Sequence, residues 1–419
     1  MSIIKAPVIK LYKDAQNMDK WAVIACDQYT SQVEYWQQTD QIVGECPSTL
    51  RMILPEVYLE DCDLDAESEK IYKTMENYLA DNIFSDFEGF VLLDRKTPQT
   101  PSRKGIVLAI DLEYYDYKAG AKPKIRATEG TVIERLPPRI KIRENAALEL
   151  PHVMLLIDDP EDTVIGPLFE KCDRKLYDFE LMLEGGHITA WGLDAGYCKE
   201  LSRAFDRLEK DNMVFAVGDG NHTLAAAKAH WDNLKKAGKA EQFPNSRYAL
   251  VEVNNIYDPG IVMHPIHRIL KNTNSAKFTN EIRKYFKDMS LVDFETPEEL
   301  IEHLNANYEK GHMFGIVCND CNLLINLANP SQTTETGSCQ NFLDYYCEKD
   351  TKSKVDYIHG EDVVLRLSSE RDTLGFILPP IKKHSIFSAI INEGVLPRKT
   401  FSIGHANEKR YYIEAREIR

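Results

Sequence analysis

The stretch Val214-Phe-Ala-Val-Gly-Asp-Gly-Asn-His-Thr223 decides the fold of this chain. Four apolar residues lead into a turn that holds Gly218 and Gly220, and the next residues, Leu-Ala-Ala-Ala-Lys-Ala-His-Trp, are typical of a helix. The order predicts a buried strand, a tight turn and a helix, which is the repeating unit of α/β proteins. The N–H groups and the partial positive charge at the start of such a helix favour binding of an anion.

Two predicted helices flank the strand. Apolar residues recur at helical spacing on both sides of it, at Tyr197, Leu201, Ala204 and Leu208 and again at Leu224, Ala227, Trp231 and Leu234. We expect Asp194 to cap the first helix, Thr223 to cap the second and Gly238 to follow its end. Both apolar faces are typical of a protein core, so they need no cofactor.

The remaining sequence also alternates between strand and helix patterns. It predicts strands at Ala22–Ala25, Gly89–Leu93, Val107–Leu112, His152–Ile157, Ile188–Trp191, Ala249–Val253, Met313–Val317 and Leu323–Leu327, helices at Glu67–Leu79, Phe278–Met289 and Pro297–Tyr308, and a loop at Asn329–Ser338. The fold class predicted is α/β, of mixed α+β type. We expect a mixed α/β region over residues 1–271 and a smaller α/β region over 272–419, which includes the basic turn at Arg398-Lys399.

Composition limits the classes of protein that fit. The chain has 419 residues, 43% of them apolar and 28% charged, and a net charge of −15. The length predicts two or three domains, and the acidic surplus disfavours a nucleic-acid partner. No apolar run has the length of a membrane span and the N-terminus lacks the apolar core of a secretory signal, so we expect a cytoplasmic protein without a membrane partner.

The nine cysteines are scattered, which predicts reduced thiols. Cys318-Asn-Asp-Cys321 has the spacing of a zinc pair, with Cys339 and Cys347 further on. Because no second tight pair follows, we predict free thiols and no metal site there.

The segment Gly218–Thr223, called the box from here on, is the main candidate for a functional site. Gly218 and Gly220 would let a phosphate approach the backbone, and N–H groups around Asn221–Thr223 would face it. Asp219 could bind magnesium or take a proton from a hydroxyl, and His222 could donate a proton or orient a substrate. The alternative is an ordinary Asp-Gly turn before a capped helix. The spacing of a Walker A loop is absent.

Two further clusters could bind an anion. One holds Arg126, Glu129, Thr131 and Arg135, with Arg139 and Arg143 beyond them, and could form a fork for phosphate or carboxylate groups. Pro137-Pro138 makes a continuous helix unfavourable there, and a solvated basic surface is the alternative. The other cluster is His264-Pro-Ile-His-Arg268. Its His267 and Arg268 are suited to binding an anion, whereas His264 is typical of a strand edge.

At these residues the chain resembles the domain of unknown function 1015 family. The resemblance runs through Ala22–Gln28, Gly105–Leu112, Arg126–Thr131, the box, His264–Arg268, Asp356–Gly360 and Leu396–Ser402. The family's D-G-H-H-R-like box reads Asp219-Gly-Asn-His-Thr223 here, and it is similar to the box of the ParB and sulfiredoxin-like superfamily. That superfamily includes nucleotide-binding partition proteins, an ATP-driven sulfinic-acid reductase and free-serine kinases. The resemblance therefore implies a ParB/sulfiredoxin-like core with an additional mixed α/β C-terminal region.

The same resemblance implies a function. Asp219 would act at a substrate hydroxyl, while Gly220, His222 and Thr223 would line the phosphates of ATP or ADP, with magnesium expected. Thr223 stands where the family has Arg, so Arg126, Arg135 or Arg268 would have to supply the charge. We predict a nucleotide-dependent phosphotransferase, a free-serine-kinase-like small-molecule kinase acting on a hydroxylated metabolite. The alternative is a non-catalytic, ParB-like switch that binds a nucleotide or an acidic metabolite.

Overall fold

A computed structural model describes residues 2–118, 120–273 and 275–419. Within these ranges the helices are α1 (Met18–Trp21), α2 (Val33–Val43), α3 (Leu64–Ala80), α4 (Leu136–Glu144), α5 (Cys198–Arg207), α6 (Asn221–Lys236), α7 (Ser275–Tyr285), α8 (Pro297–Asn307), α9 (Glu335–Lys349), α10 (Glu361–Ser368) and α11 (Lys383–Glu393). The strands are β1 (Ile4–Lys5), β2 (Val8–Tyr12), β3 (Val23–Ile24), β4 (Phe84–Lys96), β5 (Arg103–Asp111), β6 (Ile125–Ala127), β7 (Leu148–Glu149), β8 (Met154–Ile157), β9 (Arg174–Leu181), β10 (Gly186–Asp194), β11 (Phe215–Asp219), β12 (Tyr248–Asn255), β13 (Met263–Pro265), β14 (His267–Lys271), β15 (Met289–Asp293), β16 (Met313–Cys318), β17 (Cys321–Leu327), β18 (Lys354–Ile358), β19 (Thr373–Ile377), β20 (Phe401–Ile403), β21 (Tyr411–Tyr412) and β22 (Arg416–Glu417). The fold is mixed α/β.

The chain forms two compact units. The first comprises the residues up to Val262 together with Ile403–Arg419, and the second comprises Met263–Ser402. The sequence predicted a division after residue 271, but β14 pairs with β18 and β19 inside the second unit, so that unit starts earlier. The C-terminal residues return to the first unit, where β21 pairs with β3 and β22 pairs with β7.

A large mixed sheet forms the centre of the first unit. Its strand order is β6-β11-β8-β12-β5-β4-β10-β9, with β1 on β5 and β2 on β4. Along β4, Phe90 and Leu92 join one apolar cluster while Val91 and Leu93 join another, because successive side chains of a strand point to opposite faces. The sheet is therefore buried on both faces.

The central strand, turn and helix form as predicted. Leu224, Ala227 and Trp231 of α6 and Leu201 of α5 lie in one of these apolar clusters, so the predicted helical faces are core. The prediction for the helix start was wrong. Gly220 is the N-cap of α6, so Thr223 lies inside the first turn, and its hydroxyl is hydrogen-bonded to His152 instead of capping the helix.

The prolines at 137 and 138 do not break the chain. Helix α4 begins at Leu136 and carries both prolines in its first turn, where the missing N–H groups have no partner to lose. A continuous helix through all four arginines is absent, since Arg126 lies in β6, but a shorter helix does form across the two prolines. Arg139 and Arg143 consequently lie one turn apart on α4.

The second unit is built on an antiparallel sheet with the order β15-β17-β16-β19-β14-β18. Phe278, Phe342 and Phe376 pack in its core, edge to face. The predicted helix Phe278–Met289 ends at Tyr285, and Met289 begins β15. The loop predicted at Asn329–Ser338 holds the start of α9, which Thr334 caps by accepting a hydrogen bond from the N–H of Gly337.

One prediction about cysteine is corrected. Cys318 and Cys321 form a disulfide, because they face each other where β16 turns into β17 and their Cα atoms are 5.0 Å apart. Cys339 and Cys347 stay free. Among the described residues, no helix combines the length and apolar character needed to cross a membrane.

Candidate functional site

The topology gathers three chain segments at one edge of the large sheet. Strand β6 runs parallel to β11, so the residues that follow both strands lie at the same edge. Strand β8 runs antiparallel to β11, with Met154 opposite Asp219, so the residues that precede β8 also reach this edge. The box, the segment Thr128–Thr131 and His152 therefore meet.

The two glycines of the box are required by close packing. A Cβ atom on Gly218 would lie 2.9 Å from Cδ1 of Ile403, and one on Gly220 would lie 3.0 Å from Cα of Val153. Gly220 also has a φ of 78°, which side chains rarely adopt. Gly220, the N-cap of α6, has no side chain to offer to the first N–H groups of the helix.

Asp219 forms an ion pair at the turn. Its Oδ2 is 2.9 Å from Nζ of Lys409, and its Oδ1 accepts a hydrogen bond of 2.9 Å from the N–H of Gly220. Burial alone would raise the pKa of Asp219, but Lys409, His152 and this N–H hold the pKa below its ordinary value of 3.8. The carboxylate is therefore ionised at neutral pH.

Buried arginines position Lys409. Arg95 donates to the carbonyl oxygens of Glu408 and Lys409 at 3.1 and 2.5 Å, and Arg103 donates to that of Glu408 at 2.9 Å. Arg410 lies 3.2 Å from Glu252, and all of these side chains are buried. The carbonyl contacts fix the backbone beside the box, so the ammonium group of Lys409 is directed to Asp219.

The segment after β6 closes the site. Thr128 donates a hydrogen bond of 2.6 Å to the carbonyl of Val217, and Nδ2 of Asn221 lies 3.4 Å from the Thr128 hydroxyl. The N–H of Val132 donates to Nε2 of His222 at 3.3 Å, which places the proton of a neutral His222 ring on Nδ1. Thus the box and this segment are held together by side chains from both.

Two polar atoms of the site are buried without a hydrogen-bond partner among the described residues. They are Oγ1 of Thr131 and Oδ1 of Asn221. Buried polar groups in proteins are nearly always paired, so an orphaned group calls for an explanation such as a bound water molecule, an ion or a role in catalysis. Thr131 offers a donor and Asn221 an acceptor at the same edge of the sheet.

A chain of hydrogen bonds leads from the box into the first unit. Oγ1 of Thr223 lies 2.9 Å from Nε2 of His152, and Nδ1 of His152 lies 2.6 Å from the hydroxyl of Tyr412, which donates to Sγ of Cys26 at 3.2 Å. Oδ2 of Asp27 lies 3.7 Å from His152. Burial raises the pKa of Cys26 to about 11, so this thiol is protonated at neutral pH.

The other predicted site residues lie in different surroundings. Arg126 donates to the carbonyls of Pro123 and Asp211, which precede β6 and β11, so its guanidinium lies at the opposite edge of the sheet. Glu129 is half-buried between Thr128 and Thr131, and Arg135 is exposed. These placements leave Lys409 as the cation next to Asp219.

His267 and Arg268 belong to β14 of the second unit. The imidazole Nδ1 of His267 accepts the N–H of Leu378, and burial lowers the pKa of this histidine to about 4. Arg268 is fully buried and its Nε donates to Gln340 at 3.1 Å. Both side chains therefore have partners inside that unit.

Sequence reasoning missed Lys409, His152 and Tyr412. His152 could have been found, because it precedes a strand that pairs with the box strand. Lys409 gave no local signal, since it lies 190 positions from Asp219 and its neighbours resemble a polar tail.

The donor set limits how magnesium could be held. No group of three or more histidine, cysteine, aspartate or glutamate side chains suited to a metal occurs in the described part of the chain. Magnesium in nucleotide enzymes needs only one or two carboxylates, because phosphates and water complete its shell. The Asp219 carboxylate fits that arrangement.

The family follows from comparison with known proteins. A family described as "Protein of unknown function (DUF1015)" matches residues 9–346. The chain belongs to this family. The predicted family is thereby confirmed, and the family's description assigns no activity. No curated protein matches the chain significantly.

Several solved structures are similar at a low level. A mutant free serine kinase in complex with AMP has a TM-score of 0.39 and 12% identity, over 75% of this chain and 91% of that chain. A conserved hypothetical protein from Pyrococcus furiosus has a TM-score of 0.35 and 13% identity, over 73% and 90%. A C-terminally truncated SbnI from Staphylococcus aureus has a TM-score of 0.34 and 10% identity, over 71% and 82%. At these scores the similarity carries no functional conclusion.

Proposed function

We propose that the protein is a nucleotide-dependent phosphotransferase that acts on a small hydroxylated metabolite and binds its nucleotide phosphates at the box. One observation carries the proposal. The ion pair between Asp219 and Lys409 lies at the start of α6, whose N-cap is a glycine without a capping side chain. A cation for phosphate, a carboxylate for a proton or magnesium, and backbone donors for an anion are therefore together.

Unsatisfied atoms at the site support phosphate binding. Lys409 supplies the positive charge that the family places in the box and that Thr223 cannot supply. The orphaned hydroxyl of Thr131 could donate to a phosphate oxygen, and the N–H groups of Asn221–Thr223 could do the same. Gly218 and Gly220 leave room for this approach. Arg126, His267 and Arg268 are not part of the proposal, because other groups of the protein hold them.

The reaction would need little covalent chemistry from the protein. The bond from the terminal phosphorus to the nucleotide's bridging oxygen breaks, and a bond from that phosphorus to the acceptor hydroxyl oxygen forms. Asp219 takes the hydroxyl proton, and the shortened nucleotide leaves. Lys409 stabilises the charge on the phosphoryl oxygens, and Nδ1–H of His222 orients them. Magnesium, where bound, would neutralise phosphate charge, and Asp219 would hold it.

One observation favours a second candidate function. The lowered pKa of Asp219 makes it a weak base, and its partner Lys409 already neutralises it. A protein that only binds a nucleotide, and changes shape in response, needs the cation and the helix start but no base. The resemblance of the box to the ParB-type box supports this binding function as much as it supports the kinase.

Turnover separates the two candidates. The full chain is incubated with ATP or ADP, magnesium and a panel of small hydroxy acids, and phosphorylated products are detected by mass spectrometry. The kinase proposal expects turnover that Asp219→Asn abolishes while nucleotide binding persists. Asp206→Asn, an exposed carboxylate far along α5, is the matched control. Nucleotide binding without any turnover would favour the switch, and turnover that survives in Asp219→Asn would contradict the role of this residue.

A further inference from the structure

A cavity adjoins the box in the first unit. It has a volume of about 120 Å³, and Thr223 lies both in the box and on the cavity wall. Met75 of α3, Ile142 of α4 and Ala226 of α6 also line it. Neither the sequence motifs nor the proposed phosphate site accounts for this cavity.

The wall is apolar for most of its extent. The side chains from α3, α4 and α6, with Leu148 and Leu150, favour an occupant whose body is apolar. A cavity of about 150 Å³ between apolar side chains accommodates benzene. The cavity here is smaller, so an occupant with an apolar body of about four carbons fits the volume.

The cavity wall includes a guanidinium with an unpartnered donor. Nη2 of Arg143 forms an ion pair of 2.6 Å with Oε2 of Glu149. Nε of Arg143 is buried and has no hydrogen-bond partner among the described residues. Glu149 is already bound by Arg416, whose Nε donates to it at 2.7 Å, and by the N–H of Leu250. The guanidinium groups of Arg143 and Arg416 thus share the carboxylate of Glu149. The remaining positive charge favours binding of an additional anion.

Other charges on the wall do not cancel this surplus. Arg139 forms its own ion pair with Glu56. The positive charge near Arg143 therefore remains for an occupant.

The other polar part of the cavity wall consists of two hydroxyl groups and one imidazole. Thr223, His152 and Tyr412 line the cavity and are joined by hydrogen bonds of 2.9 and 2.6 Å. These groups both donate and accept, so they suit a hydroxyl of an occupant. Because Thr223 belongs to the box, a hydroxyl held there would lie toward the phosphate site.

We propose that this cavity binds a small aliphatic 2-hydroxy-carboxylate, with the carboxylate at Arg143, the neighbouring hydroxyl toward Thr223, and the carbon chain against Ile142 and Leu148. Binding depends only on the cavity. That the hydroxyl then accepts the phosphoryl group rests on the proposed function.

Calorimetric titration of the full chain without nucleotide tests the binding. The probes are leucate, which has all three features, isocaproate, which lacks the hydroxyl, and lactate, which lacks the aliphatic body. Leucate is expected to bind at least tenfold more tightly than either of the others, which corresponds to about 1.4 kcal/mol. Absence of leucate binding at millimolar concentration overturns the proposal, and so does equal binding of the three acids.

Variants locate the binding. Ala226→Leu fills the cavity and Arg143→Met removes the guanidinium, so each is expected to weaken leucate binding at least tenfold. Lys141→Met is the control, because Lys141 lies on the same helix but pairs with Asp65 outside the cavity. If Arg143→Met fails to fold, Ala226→Leu still decides. Unchanged binding in folded Ala226→Leu overturns the proposal, as does competition by adenosine, which would show that the cavity holds a nucleoside.

The two proposals fail separately. Leucate binding without phosphoryl transfer from ATP would leave the cavity proposal intact and count against the kinase. Transfer to another acceptor, with no leucate binding, would leave the kinase intact and overturn the cavity proposal.

Discussion

The ion pair between Lys409 and Asp219 predicts a measurable coupling free energy. The side chains are 12% and 29% exposed, so the pair lies between surface pairs, which contribute at most about 1 kcal/mol, and buried pairs, whose disruption costs about 3–5 kcal/mol. We expect a coupling of about 1–2 kcal/mol at pH 7 in a double-mutant cycle of Lys409→Met and Asp219→Asn. The assay is urea unfolding followed by tryptophan fluorescence, because Trp21, Trp36, Trp191 and Trp231 all lie in the first unit.

The pH dependence of this coupling has a defined sign. The folded-state pKa of Asp219 is lowered, so its contribution to stability is present above the unfolded-state value and is lost as the pH falls through the folded-state value, below 3.8. The coupling should therefore be constant from pH 5 to 7 and fade below about pH 4. A cycle on the exposed pair Lys70 and Glu67 is the control and should give less than about 0.5 kcal/mol. A coupling at Lys409 no larger than this control would refute the reasoning.

Three other outcomes are expected. Gly220→Ala should destabilise the first unit by about 1–2 kcal/mol in the same unfolding assay, because φ is 78° and the new Cβ would meet Val153; an unchanged midpoint would contradict the turn geometry. Cys26 should resist alkylation at pH 8, as read by peptide mass spectrometry, since its pKa is raised to about 11; rapid labelling would contradict that raised pKa. Arg126→Met should lower stability yet leave nucleotide affinity unchanged, because Arg126 binds carbonyls at the opposite edge of the large sheet from the box. A loss of nucleotide affinity would show that Arg126 takes part in binding and would contradict this placement.

Local sequence patterns predicted the centre of the fold well. The apolar run before Gly218 and the helical spacing of Leu224, Ala227 and Trp231 depend on neighbouring residues, so the strand, turn and helix could be read directly. The start of α4 was missed, because proline is unfavourable inside a helix but suited to its first turn. The start of α9 was missed for another reason, because its first residues are polar and were taken for a loop although Thr334 caps a helix there.

The candidate site was only half predictable. The box and Thr131 come together because two parallel strands end side by side, which the order of strands in the sequence does not reveal. Lys409 reaches Asp219 because buried Arg95 and Arg103 bind the carbonyls around it, and this is a tertiary effect without a local pattern. Arginine residues were expected to supply the charge, and a lysine from the far end of the chain is placed there.

The central claim is that Lys409 and the start of α6 form a phosphate site, and calorimetric titration of ATP with magnesium tests it most directly. Wild-type protein should bind, and Lys409→Met should bind about 10- to 150-fold more weakly, as expected for a lost charge-assisted hydrogen bond of about 1.5–3 kcal/mol. Lys73→Met, which removes an exposed lysine of α3, should bind as the wild type does. Equal ATP affinity in folded Lys409→Met and in the wild type would contradict the account.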